Sequence, residues 1–202
     1  MLEIIFVVSL FLIYMLLWKI KRTQQKKVTG IDPLVMKKSA SNLQIFMGDF
    51  SYILTVYAAI IILAHSTNIQ FGSLFSRYDI FSSVQFDLLG FTIGLIGLSL
   101  CLYAQIKMGT SWRVGIDEKV KTQLITTGLY EFTRNPTYLG LFLLNIGTWL
   151  IWPTWTIFLL NILFFLFLEI QVRCEEDFLF SLHGEQYIDY KKRTKRYLPF
   201  IY

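Results

Sequence analysis

The sequence has little charge for its length and few of the residues on which soluble enzymes commonly depend. Of its 202 residues 16% are charged, against about 25% in ordinary soluble domains. It contains 2 histidines, 4 prolines and 2 cysteines, and Cys101 and Cys174 belong to no paired motif, so neither a disulfide framework nor a metal site is expected. In contrast, 54% of the residues are hydrophobic and 17% are aromatic. This composition predicts an integral membrane protein.

Five apolar runs are long enough, or nearly long enough, to cross a bilayer, which takes about 20 residues. The first run follows no basic segment and precedes no cleavage site, so we expect a retained span and not a signal peptide. Only a short turn around Pro153 separates the last two runs, which should form a tight antiparallel hairpin. We therefore predict an all-α integral membrane protein with a single domain over residues 1–202. The expected spans are residues 2–18, 45–64, 88–106, 136–152 and 153–172.

The tail beyond the last run carries apolar residues at helical spacing among acidic ones, which predicts an amphipathic C-terminal helix. Of the 19 lysines and arginines, 18 fall on the side of the membrane that holds this tail, and only Arg77 falls on the other. The positive-inside rule therefore places the N-terminus outside and the C-terminus in the cytoplasm. This topology and anionic lipid account for the positive charge, so no nucleic-acid partner is expected. The small size favours a prokaryotic plasma membrane, with the endoplasmic reticulum as the alternative.

The third span contains closely spaced glycines. Gly90 and Gly94 form a small-residue pattern that lets two helices approach closely. The pattern fits packing inside the protein or, alternatively, a dimer face.

A polar cluster lies at the start of the fourth span, in the stretch GLYEFTRNPTYLG over residues 128–140. Asparagine is a preferred N-cap and proline a preferred first helical residue, so Asn135 should cap the span and Pro136 should begin it. The positive end of this helix, with Arg134 beside it and Tyr138 one turn in, could bind an anionic group. A well-capped span with an arginine reaching toward water is the alternative.

A second polar cluster follows the fifth span. Glu169 and Arg173 are four residues apart and can form an ion pair along the helix, and Glu175 and Glu176 come on the next turn. By itself this could be a solvated acidic face. In the expected hairpin, however, the cluster lies beside the start of the fourth span. The two clusters together could bind a zwitterion, with donors for its carboxylate and acids for its ammonium or sugar hydroxyl groups.

These residues also carry a resemblance to a known family. LITTGLYEFTRNPTYLG and, one hairpin later, EEDFLFSLHGEQYIDYKKRTKRYLPF resemble the isoprenylcysteine carboxyl methyltransferases, with phospholipid methyltransferases as more distant relatives. The resemblance implies S-adenosylmethionine as the methyl donor, bound within residues 107–202, and a lipid-like or prenylated acceptor. The cofactor contacts that it implies are Thr122, Gln123, Leu124, Ile125, Tyr130, Asn135, Pro136, Thr137, Tyr138 and Glu175.

Two positions depart from the family pattern. Asn135 stands where the family commonly has histidine, and Gln171 stands where it has an arginine associated with the carboxylate of prenylcysteine. Gln171 and Arg173 are the expected acceptor contacts, and Arg173 or Arg134 would orient the reacting group. The departures leave the acceptor open. Two other functions also stay open: an NADPH-dependent enzyme like the membrane sterol reductases, and a lipid-binding or scaffold relative without catalysis.

Overall fold

The protein is a bundle of helices in the computed structural model, which describes residues 1–67, 72–118 and 123–198. Over these ranges it has no β-strand beyond two isolated bridges, which confirms the predicted all-α class. The α-helices are α1 (Leu2–Thr29), α2 (Asn42–Ser66), α3 (Val84–Met108), α4 (Pro136–Ile151), α5 (Trp155–His183) and α6 (Glu185–Arg193).

Four of the described helices, α1, α2, α3 and α5, are long and apolar enough to cross a membrane. The fourth of the five predicted spans is present as α4, but it has only 16 residues, fewer than the about 20 that a perpendicular span needs. All five apolar runs are therefore helical, and α4 is the short one among them.

Two helices extend well past their predicted ends. Helix α1 was expected to end near Trp18 but continues to Thr29, and Gly30 ends it in the left-handed conformation at φ 71°. The basic residues between these points are helical because leaving a bilayer does not by itself end a helix, and lysine and arginine are good helix formers. Several cations expected in a loop therefore lie along one helix.

Helix α5 starts later and ends later than predicted. Thr154 is its N-cap and accepts a hydrogen bond from the backbone of Ile157, so Pro153 precedes the cap and is not the first helical residue. The helix then runs to His183, where Gly184 at φ 53° separates it from α6. The expected amphipathic tail helix is thus the last part of α5 followed by α6.

Polar contacts between helix ends lie at the two opposite ends of the bundle, each called a face below. On one face Gln25 of α1 donates to the carbonyl of Thr110 after α3 (2.6 Å), and Gln44 of α2 contacts Gln171 of α5. On the other face Arg77 pairs with Glu3 and Asp87. Arg77, the one cation predicted to lie on the outer side, is therefore at the opposite end of the bundle from the other basic residues at the helix ends.

Helices α3 and α4 pack against each other more extensively than any other pair of described elements. A Cβ atom on Gly97 would lie 2.4 Å from the carbonyl oxygen of Gly140, and one on Gly147 would lie 2.4 Å from that of Gly90. The two backbones therefore touch, as small residues in membrane helices permit. This confirms packing inside the protein as the use of the glycines, but the partner of α4 is chiefly α3 and only secondarily α5.

Two apolar clusters fill the bundle. One lies toward the end of the bundle that holds Arg77 and includes Leu10, Ile61 and Trp152. The other lies toward the opposite end and joins α2 to α5 through Met47, Leu54, Phe167 and Leu168, with Tyr138 packed against it. The second cluster supports the polar residues described next.

Candidate active site

Tyr138 and Glu175 connect the start of α4 to the last part of α5. The hydroxyl of Tyr138 donates a hydrogen bond to Glu175 Oε1 at 2.7 Å. The hairpin predicted from the short turn therefore brings the two polar clusters together. Glu175 is half-buried, and this contact holds its carboxylate near the first turn of α4.

Two glutamine side chains complete the surroundings of Glu175. Gln171, one turn earlier on α5, donates from Nε2 to the same Oε1 atom at 2.9 Å. Gln44 of α2 donates to Gln171 Oε1 at 3.1 Å and accepts a hydrogen bond from the backbone N–H of Ile116 at 3.3 Å. Both glutamines are buried. Within the described ranges Glu175 Oε2 makes no hydrogen bond, so this oxygen can still accept one.

The start of α4 has the predicted residues in the predicted places, but its cap differs. Asn135 is the N-cap and Pro136 the first helical residue, yet the Asn135 side chain makes no capping hydrogen bond. Its Nδ2 donates to Glu176 Oε1 at 3.2 Å and to the carbonyl of Arg196 at 3.4 Å, and these bonds orient the side chain toward α5 and the tail. The hydroxyl of Thr137 is buried and lies near the Tyr130 hydroxyl, without a well-formed hydrogen bond to the described part of the chain. The first turn of α4 therefore keeps polar groups for a ligand.

Arg134 is engaged by the protein itself. Its Nε donates to Glu176 Oε1 at 3.0 Å, and its Nη1 donates to the carbonyl of Thr194. Arg196 of the tail donates from Nη2 to the other oxygen of Glu176 at 2.9 Å. Glu176 is buried between the two guanidinium groups. This arrangement ties the start of α4, the end of α5 and the tail into one unit.

Glu169 forms a second anchor for the tail. Arg173 donates to it at 2.8 Å, which confirms the ion pair expected from their spacing, and Arg196 donates at 3.2 Å. The hydroxyl of Tyr197 also donates to Glu169. Burial, followed by this hydrogen bond, raises the pKa of the Tyr197 phenol, so it stays a donor at neutral pH. The side chain of Arg173 remains 56% exposed.

The other predicted cofactor contacts are spread along the linker between α3 and α4. Tyr130 is buried in a 3₁₀ turn, its carbonyl accepts a hydrogen bond from Tyr190, and burial raises the pKa of its phenol. Leu124 and Ile125 are half-buried and Gln123 is exposed, and no described hydrogen bond joins these three to Glu175. Thr122 lies outside the described residues.

Sequence reasoning missed the parts of the site that come from distant segments. Gln44 had a usable signal, because a glutamine near the start of an apolar span is a candidate for a polar role. Glu176 was noticed only as one of a pair, and Arg196 only as one of many cations. Glu176 and Arg196 are 20 positions apart and meet near the end of α5. This part of α5 lies beyond the predicted end of the fifth span, so the contact could not be foreseen.

The chain matches known proteins across this site. The model of the phospholipid methyltransferase family matches residues 87–186. The protein-S-isoprenylcysteine O-methyltransferase of Schizosaccharomyces pombe is 30% identical over 125 residues, which are 60% of this chain and 52% of that protein. The protein of the same name from Xenopus laevis is 28% identical over 160 residues, 69% of this chain and 53% of that protein. The chain thus spans about half the length of these curated relatives.

A solved structure agrees with the fold. The structure of a eukaryotic intramembrane Ras methyltransferase, an isoprenylcysteine carboxyl methyltransferase, superposes with a TM-score of 0.60 at 24% identity, covering 75% of this chain and 53% of that chain. The region that the family model matches contains Tyr138, Gln171 and Glu175. The relatives bear the name of the methyltransferase family that the sequence motifs resemble. Over residues 87–186 the chain is therefore similar to the phospholipid methyltransferase family.

Proposed function

We propose that the protein is an S-adenosylmethionine-dependent methyltransferase that acts on a lipid-like or prenylated acceptor at the cytoplasmic face of a membrane. The observation that carries the proposal is the Tyr138–Glu175 contact at the start of α4, inside the stretch that the family model matches. The names of the relatives support a methyl transfer to a prenylated cysteine.

The residues present suit a zwitterionic cofactor. Glu175 Oε2 is an acceptor without a partner in the described part of the chain, and it suits an ammonium or a ribose hydroxyl group. The uncapped first turn of α4 offers backbone N–H donors and the Thr137 hydroxyl to a carboxylate. S-adenosylmethionine would supply an activated methyl group on a sulfonium. Further contacts would come from Thr122, Gln123, Leu124, Ile125, Tyr130, Asn135, Pro136 and Tyr138.

The protein would contribute chiefly by positioning. Holding two reactants in line can lower a barrier by about 7–11 kcal/mol. Tyr138 and Gln171 fix one oxygen of Glu175, and the apolar cluster beneath Tyr138 excludes water. His65 contacts Thr156 at the opposite end of the bundle, so it is not available as a base at the site. An acceptor that is already ionised, such as a carboxylate, would need none.

The two predicted catalytic arginines, Arg134 and Arg173, differ in how far their side chains are exposed and free to contact a ligand. The Arg134 side chain is 8% exposed and is held by Glu176, so its role would be to fix the start of α4. The Arg173 side chain is 56% exposed and holds Glu169 on one side. We propose Arg173 as the residue that orients an anionic acceptor. Gln171 would act on the acceptor indirectly, through Glu175.

The orientation with the N-terminus outside and the site in the cytoplasm is supported by the separation of Arg77 from the basic helix ends. A prokaryotic plasma membrane stays a prediction from the sequence. The curated relatives named above come from a yeast and a frog.

Calorimetric titration of the detergent-purified protein with S-adenosylmethionine tests the function. We expect saturable binding that Glu175→Ala abolishes and that the matched change Glu185→Ala, at the exposed start of α6, leaves intact. NADPH serves as the competing ligand: binding of NADPH alone would replace the proposal with a reductase. If the folded protein bound neither compound, a lipid-binding role without catalysis would remain.

A further inference from the structure

Gln44 lies on a helix that the family model does not include, yet its side chain reaches the candidate site. It is the third residue of α2 and is 2% exposed, and Gln171, which it contacts, is 1% exposed. The two residues are 127 positions apart. A buried amide must form its hydrogen bonds within the protein. Its partners therefore determine which way the amide is oriented and which groups it can hold in place.

The chemistry of the partners fixes the direction of each hydrogen bond. An ionised Glu175 can only accept, so Gln171 must present its NH₂ group to it and its oxygen to Gln44. Gln44 then presents its own NH₂ group to Gln171 and its oxygen to the backbone N–H of Ile116. The same oxygen accepts a longer hydrogen bond from Gln171 Nε2 at 3.4 Å, so the two amides pair with each other. The shorter bonds connect the linker after α3, through α2, to the carboxylate on α5. If either amide turned over, a donor would face a donor or an acceptor an acceptor.

We propose that Gln44 is a positioning residue for the candidate active site. It fixes the orientation of Gln171, and Gln171 holds Glu175 Oε1, which leaves Oε2 directed to a ligand. This inference rests on the proposed function, because it assigns Glu175 to cofactor binding. It adds that α2 and the linker residue Ile116 determine how well the carboxylate binds its ligand. An apolar side chain of similar size would fill the space but would leave Gln171 free to turn.

A double-mutant cycle tests whether Gln44 acts through Gln171. We expect Gln44→Leu and Gln171→Leu each to weaken S-adenosylmethionine binding about tenfold, about the effect of one hydrogen bond. The double variant should be no weaker than Gln171→Leu, because Gln44 has no route to Glu175 once Gln171 is gone. Independent, additive losses would overturn the proposal.

Gln25→Leu is the matched control. Gln25 is also a buried glutamine that ties a helix to the linker after α3, through the carbonyl of Thr110, but it makes no described contact with Gln171 or Glu175. We expect it to lower the melting temperature about as much as Gln44→Leu and to leave cofactor affinity unchanged. An equal loss of affinity in Gln25→Leu would reduce the role of Gln44 to general stability.

A measurement without the cofactor separates this inference from the proposed function. Carbodiimide labelling of Glu175, followed by mass spectrometry across pH, reports the surroundings of its carboxylate directly. We expect Gln44→Leu to change the labelling rate of Glu175 severalfold and that of Glu185 not at all. If the wild-type protein did not bind S-adenosylmethionine, the proposed function would fail while this result could still hold. An unchanged labelling rate at Glu175 would reject the positioning role.

Discussion

The hydroxyl of Tyr138 and the carboxylate of Glu175 are 37 residues apart in the chain and 2.7 Å apart in space. One belongs to the first turn of a short apolar helix and the other to a long helix beyond its most apolar part. Their contact exists because the chain reverses within Trp152–Thr154 and returns to the same face of the bundle. The first prediction follows from this contact.

Tyr138→Phe removes the donor and keeps the ring. We expect S-adenosylmethionine to bind about 10- to 100-fold more weakly, because a hydrogen bond to a charged group contributes about 1.5–3 kcal/mol and its loss releases the Glu175 carboxylate. The melting temperature should change little, since the ring still packs on the apolar cluster. Calorimetry on this variant and on Tyr52→Phe, whose ring is 66% exposed, provides the comparison. Unaltered affinity in Tyr138→Phe would show that the hydroxyl does not position the carboxylate.

Glu176→Gln should destabilise the fold strongly. It leaves Arg134 without its carboxylate and Arg196 with Glu169 alone, and removing one partner of such a buried pair costs about 3–5 kcal/mol. Denaturation in mixed micelles measures the change in the free energy of unfolding. Asp189→Asn, which breaks the exposed pair with Lys192, is the matched control and should leave the melting temperature nearly unchanged. Equal effects of the two substitutions would contradict a structural role for Glu176.

Gly97→Ala tests the contact between α3 and α4. The added Cβ would lie 2.4 Å from a backbone oxygen of Gly140, which cannot move aside. Overpacking of this kind costs about 1–3 kcal/mol. A Cβ on Gly48 in α2 would lie 2.9 Å from Lys37 Cγ and 3.2 Å from Met36 Cβ. Gly48→Ala should therefore lower the melting temperature less than Gly97→Ala, because these side-chain atoms can shift more easily than a helix backbone. The ranking of the two melting temperatures decides the prediction, and a more stable Gly97→Ala protein would contradict it.

The ion pair between Arg22 and Asp32 should make stability depend on pH in the acid range. Arg22 donates two hydrogen bonds to Asp32, which lowers the pKa of that carboxyl to about 2. Since the pKa is lower in the folded state, the stabilisation is complete above the unfolded value of about 3.9 and is lost as the pH falls toward 2. Its size should be about 1 kcal/mol or less, because Arg22 is partly exposed.

Melting temperatures of the wild type and of Asp32→Asn, measured from pH 7 down to pH 3, give the test. We expect a constant difference above about pH 5 that narrows below about pH 4. Arg22→Gln should remove the same pH dependence. A difference that does not vary with pH would mean that the pair does not contribute through its charge.

The sequence predicted the features that depend on neighbouring residues. Asn135 and Pro136 begin α4 as expected, because both preferences are local. The reversal near Pro153 is also local, and it suffices to bring Tyr138 to Glu175. The capping hydrogen bond expected of Asn135 is absent, because its Nδ2 donates to Glu176, 41 residues away, and this contact orients the side chain. The preferences of neighbouring residues give no sign of so distant a partner.

Features that depend on distant partners were not predicted. Gln44 and Gln171 both appear as isolated polar residues in apolar surroundings, and only the packing of α2 on α5 pairs them. The ends of α1 and α5 were placed too early because hydropathy marks where an apolar run stops. The helices themselves continue until Gly30 and Gly184 adopt positive φ. The roles of the site residues toward cofactor and acceptor stay predictions.

The glycine contact between α3 and α4 also limits how a lipid could reach the site. From Gly90 to Gly97 the two backbones touch along about 10 Å of helix. No acyl or prenyl chain can slip between helices in direct backbone contact. A lipid acceptor that enters from the bilayer toward Tyr138 and Glu175 must therefore pass elsewhere than between α3 and α4, so residues other than these glycines would select the length and shape of its tail.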